Sequence, residues 1–153
     1  MSDINWSDPK CQVTEHFTVH ELTYLPTFQV HHVPSEQEQQ NLLALANKME
    51  EIREYIGKAI NCHVTIRPIC VNAPGTPYHG RNYNALVGGA LRSGHIQGKC
   101  MDFNFYEIVC DEGRLLLETE LERLNIRMEK RPGSNWIHVG IDWEPGMSRY
   151  FLP

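Results

Sequence analysis

The chain of 153 residues has 41% hydrophobic and 22% charged residues, which is ordinary for one domain with its own core. Its formal net charge of -5 argues against a nucleic-acid partner held through phosphates, and no apolar run is long enough for a transmembrane helix. Five scattered cysteines without a CxxC pair indicate a reducing compartment and exclude a disulfide framework.

A short helix is predicted near the N-terminus. In the segment FTVHELTYLP, Thr18 and Glu21 have the spacing of a capping box, and Pro26 is expected to end the helix. The histidine pair that follows, His31 and His32, is expected in an exposed loop.

A long helix is predicted from Ser35, its N-cap, to Gly57, a residue type that often ends helices. Glu38 completes a second capping box. Apolar residues recur at helical spacing and predict a buried stripe, made of Leu42, Leu45, Met49, Ile52 and Ile56.

A strand is predicted at 62–66, followed by a long segment rich in proline, glycine and asparagine. Residues 67–89 are expected to be irregular, with one short helix at 83–87. Loops of this length are uncommon in compact domains and are often functional. His79 lies within it, either at the rim of a site or as an ordinary loop histidine.

The second half of the chain is predicted to consist mainly of strands. A strand at 99–106 precedes a helix at 110–125, and a Pro-Gly turn joins strands at 125–130 and 135–142. Residues 148–153 add an edge strand. Because most strands follow the helices, the predicted class is α+β, with one antiparallel-rich sheet in a single domain over 1–153, expected to be a monomer.

Alternation in these strands brings polar residues onto one face of the sheet. Met101, Phe103 and Phe105 would face the core, which leaves Asp102 on the other face. The last hairpin has a similar non-core face, made of Arg127, Glu129, Trp136 and His138. If Glu129 pairs with Trp136, His138 is diagonal to Glu129, about 7–8 Å away.

Three residues near this face could bind a metal. His95 lies just before the strand that carries Asp102, and His138 lies on the hairpin. Three nitrogen and oxygen ligands without thiolate leave zinc an open position for water, as in catalytic sites. Eight histidines also make accidental His/Asp spacings common, so spacing alone does not decide between a metal site and unrelated residues.

One pattern spans both parts of this candidate centre: S-x-H-x-x-G-x-x-x-D and, much later, W-x-H, at Ser93, His95, Gly98, Asp102, Trp136 and His138. The pattern resembles the zinc D-Ala-D-Ala carboxypeptidase family of phage and bacterial peptidoglycan peptidases. The segments HFTVHELT, EIREYIGKAI, RPICVN and YNALVGGALRSGH are similar to further blocks of that family, so the resemblance covers most of the chain.

The resemblance implies a Hedgehog/DD-peptidase-like fold, with helices on one face of a small antiparallel sheet and Zn²⁺ on the other. The implied zinc ligands are His95, Asp102 and His138. The implied activity is hydrolysis of peptidoglycan stem peptides, of the D-Ala-D-Ala carboxypeptidase or the L-Ala-D-Glu endopeptidase type.

The resemblance also assigns roles beside the metal. Arg67 falls where the family has an arginine near the zinc, suited to hold a substrate carboxylate or to polarise the carbonyl under attack; a structural ion pair is the alternative. Ser93 is expected to hydrogen-bond near His95 and to shape its turn. Trp136 either walls the substrate cleft or packs on the sheet.

Asn135 departs from the family pattern, in which many members have an acidic general base three residues before the last histidine. An amide cannot take a proton, so Glu129 is the predicted base, with Asp142 as the weaker candidate. The alternative for Glu129 is an exposed carboxylate paired with Arg127 or Lys130.

The N-terminal segment shows no secretory signal, so we expect a protein that is cytoplasmic at synthesis. A phage-type enzyme would reach the host cell wall after lysis or with a virion, whereas a cytosolic enzyme would act on recycled muropeptides. The competing function is a non-catalytic zinc-binding structural or cell-wall-binding module derived from this family. None of these functions requires nucleic acid or membrane insertion.

Overall fold

The computed structural model describes residues 3–73, 77–78, 81–82 and 93–151. Its helices are α1 (Val19–Thr23), α2 (Glu36–Ile60) and α3 (Cys110–Glu118). Its strands are β1 (Tyr24–Leu25), β2 (Val30–His31), β3 (Ile66–Cys70), β4 (Pro77–Tyr78), β5 (Arg81–Asn82), β6 (Cys100–Phe105), β7 (Arg127–Glu129), β8 (Ile137–Gly140) and β9 (Tyr150–Phe151).

The main sheet has five strands in the order β3-β6-β8-β7-β9. Its neighbouring strands are antiparallel except β7 and β9, which are parallel. The pairs β1-β2 and β4-β5 form two small hairpins. The predicted α+β class with a small, mostly antiparallel sheet is therefore confirmed. His31 and His32 are half-buried, and His31 lies in β2, so the expectation of an exposed loop is wrong.

Helix side chains cover one face of the main sheet. The predicted stripe of α2 is completely buried: Leu42, Leu45, Met49, Ile52 and Ile56 all have 0% exposure. The same core contains Met101, Phe103, Ile137 and Val139, which alternate along β6 and β8. Each large apolar side chain buried in this way stabilises the fold by about 1.5–3 kcal/mol. Because a slip of one residue would turn these side chains to solvent, the core fixes the register of both strands.

The helix boundaries differ from the predicted ones. α1 has the predicted capping box but ends at Thr23, before Pro26, because the next residue begins β1. α2 continues past Gly57 and ends where Asn61 adopts a left-handed conformation with φ 54°, so the predicted stop is wrong. α3 ends at Glu118, and the segment 119–125 forms turns instead of a helix.

The first strand of the main sheet lies later in the sequence than predicted. It spans Ile66–Cys70 instead of 62–66, so the beginning of the segment 67–89 is not irregular. Pro68 is tolerated there because β3 is an edge strand, where a missing N–H costs no ladder bond. The predicted short helix at 83–87 and His79 lie outside the described residues.

The hairpin of β7 and β8 forms with a register that differs from the expected one. Arg127 pairs with Gly140 and Met128 with Val139, so the predicted Glu129–Trp136 pair is wrong. The turn is longer than the sequence suggested and includes Gly133 at φ +80°. Because the difference is two residues, each side chain stays on its predicted face.

Candidate metal centre

A row of metal-capable side chains crosses three neighbouring strands. Cys70 on β3 pairs with Asp102 on β6, which pairs with His138 on β8. A bulge after Pro68 lets Cys70 join the row. Asp102 and His138 alternate with buried core residues and so face away from the helices.

The turn before β6 brings His95 to this row. His95 is buried, with 8% exposure. Gly98, later in the turn, has φ +71°, and a Cβ there would lie 2.9 Å from Cγ of Leu42. The turn therefore needs glycine at this position for both conformation and space.

Three side-chain atoms converge at one point above the sheet. Nε2 of His95 lies 3.3 Å from Nδ1 of His138 and 3.4 Å from Oδ1 of Asp102. Nδ1 of His138 lies 2.6 Å from the same carboxylate oxygen. Ligand atoms about 2.0–2.1 Å from a tetrahedral metal are about 3.3–3.4 Å apart. The two distances from Nε2 of His95 already have this value. The distance between His138 and Asp102 would have to increase by about 0.7 Å for both to bind the same metal.

The other nitrogen of His95 is held from behind. Nδ1 lies 2.8 Å from the carbonyl oxygen of Val71, an arrangement in which Nδ1 carries the proton and donates it. The lone pair of Nε2 then points toward Asp102 and His138. Metal-binding histidines are commonly oriented by such a bond from the second ring nitrogen.

A second donor set shares two of these residues. Cys70, His95 and Asp102 could hold a metal ion, because one ligand atom from each lies within 4.8 Å of the others. Sγ of Cys70 is 3.9 Å from Nδ1 of His95, the nitrogen already bonded to Val71. A metal bound by Cys70 and Nδ1 of His95 would break the hydrogen bond to Val71. A metal bound by His138 and Nε2 of His95 would leave that hydrogen bond intact.

Charge coupling across the centre is strong. Burial alone would lower the pKa of His95, but hydrogen bonding to Asp102 and contact with Cys70 raise it well above the usual value. Burial would raise the pKa of Asp102, yet hydrogen bonds from His138 and His95 hold it well below the usual value. The carboxylate of Asp102 therefore favours positive charge at this point on the sheet face.

A polar network behind His95 is a feature that the sequence analysis missed. The amide of Asn72, which is 3% exposed, donates to the carbonyl oxygen of His95 at 3.0 Å and to Glu38 at 3.1 Å. Its oxygen contacts Nε2 of His32. Glu38 is also the capping-box residue of α2, so the network connects that helix end with the turn. The capping box was visible in the sequence, but its link to the turn was not.

Glu129, the predicted base, is close to the ligand row. If the register of β7 and β8 is continued by one residue, Glu129 lies directly opposite His138. This position is nearer to His138 than the diagonal position that the sequence predicted. The carboxylate of Glu129 forms an ion pair with Arg131 at 3.7 Å. The predicted partners were Arg127 and Lys130, so that alternative named the wrong residues. Phe151, which the sequence analysis missed, packs edge-on against His138 with ring centroids 4.6 Å apart.

Arg67 lies one row further along the same face. It pairs with Asn104, and its Nε donates to the side-chain oxygen of Asn104 at 2.8 Å. Its guanidinium also lies 5.4 Å from the ring centroid of Tyr106. Asn104 is two residues from Asp102, about 7 Å along the strand. Arg67 is therefore near the centre but is directed along the sheet, and its observed partners are an amide and an aromatic ring.

The other residues named from the sequence surround the centre. Oγ of Ser93 accepts a hydrogen bond from the backbone N–H of His95 at 3.2 Å, which agrees with its predicted role in the turn. Trp136 lies immediately before β8 and is half-buried, with the guanidinium of Arg131 5.3 Å from the centroid of its ring. Asn135 is exposed.

Asp142, the weaker candidate base, lies beside the row that contains Gly140. Its Oδ2 is 3.5 Å from Arg127, and its buried Oδ1 has no hydrogen-bond partner among the described residues. A Cβ at Gly140 would lie 2.5 Å from that oxygen and 2.8 Å from Sγ of Cys100. Glycine is therefore required for this carboxylate and thiol to pack together.

Comparison of the chain with protein-family models, with characterised proteins and with solved structures finds no match. Within the described ranges, no helix is both long enough and apolar enough to cross a membrane.

Proposed function

We propose that the chain is a zinc-dependent peptidase of the Hedgehog/DD-peptidase type that hydrolyses peptidoglycan stem peptides. One observation carries the proposal: His95, Asp102 and His138, picked out by motif spacing, have ligand atoms 2.6–3.4 Å apart. They lie on the sheet face opposite the helices, as the resemblance implies for the zinc. Substrate class rests on the resemblance alone.

The donor set fits zinc. Two imidazole nitrogens and one carboxylate oxygen are common zinc ligands, and three protein ligands are typical of catalytic sites. The bond from His95 to the Val71 carbonyl supplies the outer support that such ligands need. When bound, zinc would polarise the scissile carbonyl and lower the pKa of a coordinated water to about 7.

Glu129 is the residue we propose as general base. Its position level with His138 supports this role, because directly opposite residues have Cβ atoms about 4.5–5.5 Å apart. Its carboxylate would take a proton from the attacking water and pass it to the leaving amine. Asn135, at the usual acidic position, would be left to hydrogen-bond the substrate.

The substrate would lie along the face that carries the ligand row. An open groove of about 540 Å³ is lined by Arg67, Asn104, Tyr106, Val109 and Asn135 among others, and by none of the three proposed zinc ligands. Arg67 could hold a substrate carboxylate there without moving far from Asn104. We propose Ser93 and Trp136 as further substrate contacts close to the ligands.

The working location follows from the substrate. We propose a monomer that acts on stem peptides of the cell wall, reached after lysis or with a virion, without nucleic acid or membrane insertion. The second candidate is a non-catalytic zinc-binding module. It is favoured by Asn135, because that residue cannot replace an acidic base.

Digestion of purified sacculi, followed by mass spectrometry of the released peptides, tests the proposal. The wild type should cut one stem-peptide bond, and the mass of the product names it. Glu129→Gln should retain zinc and lose at least about 100-fold in rate, within the range of general-base catalysis. Asp142→Asn is the matched control and should lose less.

The outcomes separate the candidates. Zinc without stem-peptide cleavage would favour the binding module. Near-normal turnover by Glu129→Gln would remove that residue from the mechanism, and a larger loss in Asp142→Asn would transfer the role of base to Asp142.

A further inference from the structure

A second group of histidines lies on the surface formed by the first hairpin. His20 is on α1, and Tyr24 and His31 form a cross-strand pair between β1 and β2. His20 and Tyr24 are four residues apart, and their rings stack with centroids 4.9 Å apart. Short-range structure alone therefore gathers the three side chains.

The two imidazoles point a nitrogen at each other. Nδ1 of His20 lies 2.5 Å from Nε2 of His31, and the ring centroids are 4.7 Å apart. One shared proton would make this a hydrogen bond, whereas two protons would repel. Tyr24 packs against both rings and limits their movement.

We propose that His20 and His31 form a surface binding site for a divalent transition-metal ion, with Cu²⁺ preferred. The site is independent of the proposed peptidase function, since it shares no residue with the candidate centre.

The spacing and the donor type favour copper. Adjacent ligands about 2.0 Å from a square-planar metal are about 2.8–2.9 Å apart, so the nitrogens would separate by about 0.3–0.4 Å. Tetrahedral zinc would require about 3.3 Å. Imidazole suits Cu²⁺, which also has the highest affinity in the divalent series. Because His20 is exposed, water can fill the remaining positions.

The exposure of the pair also suits a metal. His20 is exposed and can rotate toward the ion without disturbing the core.

Titration with Cu²⁺, followed by electron paramagnetic resonance, tests the site. The protein is first loaded with zinc, and nitrogen-ligated Cu²⁺ is then counted per chain for the wild type, His20→Ala, His31→Ala and His63→Ala. His63 is an exposed histidine after the end of α2 and serves as the control. Mg²⁺, which prefers oxygen ligands, serves as the control ion.

We expect His20→Ala and His31→Ala each to lose one equivalent of Cu²⁺ that His63→Ala retains. Any copper that enters the candidate centre is common to all four proteins and cancels in the comparison. Should His31→Ala fail to fold, His20→Ala decides the question, because His20 is exposed. Equal copper content in His20→Ala and wild type would overturn the proposal, as would an equal loss in His63→Ala.

Discussion

His95 and His138 at the candidate centre can be compared with His20 and His31 on the surface hairpin. In both pairs the ring nitrogens face each other, at 3.3 Å and 2.5 Å respectively. Among the described residues, a carboxylate within hydrogen-bonding distance of both rings is found only for the first pair, and it belongs to Asp102. The pKa of His95 is raised well above its usual value despite burial, whereas burial and the charge of His20 lower the pKa of His31.

The comparison shows what one carboxylate does to an imidazole pair. It stabilises positive charge, so protons or a metal cation can occupy the centre, and its oxygen adds a third ligand. Without it, the surface pair offers two imidazole nitrogens and a smaller ligand set.

Removing the carboxylate charge should make the centre resemble the surface pair. Asp102→Asn should weaken zinc binding by more than 100-fold, beyond the about 10–100-fold typical of residues that only support a ligand. It should also lower the pKa of His95. Chelator competition and NMR titration measure the two effects.

Asp111→Asn is the matched control for that variant, since Asp111 is an exposed carboxylate paired with Arg114. It should leave zinc affinity unchanged. If Asp102→Asn bound zinc as tightly as Asp111→Asn, the difference between the two histidine pairs would not lie in the carboxylate.

Removing the support behind His95 should have an intermediate effect. Asn72→Ala should lower zinc affinity by about 10–100-fold, because the turn loses its bond to the buried amide. Asn41→Ala is the control: its exposed amide donates to Gln97 in the same turn, at 2.7 Å. If both variants lost the same amount of zinc affinity, any hydrogen bond to the turn would matter equally, and Asn72 would have no special role.

In the metal-free protein, the two histidine pairs should make the free energy of unfolding change with pH in opposite directions. The raised pKa of His95 gives stability that is complete below pH 6.5 and lost as pH rises through the folded pKa. The lowered pKa of His31 makes its contribution increase as pH rises from the folded pKa to 6.5, above which it is complete. The lowered pKa of Asp102 gives stability that is lost as pH falls below 3.8.

Denaturant unfolding between about pH 5 and 8 checks these signs. Asp102→Asn should remove the decrease toward high pH, and His31→Gln should remove the increase. A decrease that persists in Asp102→Asn would show that another group is responsible.

The smallest effect is expected from giving the surface pair a carboxylate. Tyr24→Asp places one opposite His31 in the hairpin register. It should raise the pKa of His31, by the equivalent of about 0.2–1 kcal/mol, as for exposed ion pairs. NMR titration of His31 measures the change; a fall in its pKa would contradict the role assigned to the charge.

Local patterns predicted much of this molecule, and most errors concern where its helices and strands end and how one hairpin is registered. The stripe of α2 and the alternation of β6 depend on local periodicity, so the sequence was enough to place Asp102 on the open face. The register of β7 and β8 depends on the turn, and a turn two residues longer moved Glu129 level with His138.

Other features could not be read from local sequence at all. The amide of Asn72 meets Glu38 across 34 residues, and β3 became a strand around Pro68 because it lies at the sheet edge. Both depend on which segments become neighbours in the fold. The convergence of His20 and His31 is more local, but it was missed because the pair His31 and His32 was expected in an exposed loop.

The zinc content of three purified proteins shows which side chains hold the metal. The two possible donor sets differ in one residue, His138 or Cys70, so the wild type is compared with His138→Ala and Cys70→Ala. We predict one zinc per chain in the wild type and in Cys70→Ala, and little zinc in His138→Ala. Zinc retained by His138→Ala and lost from Cys70→Ala would contradict the proposed centre.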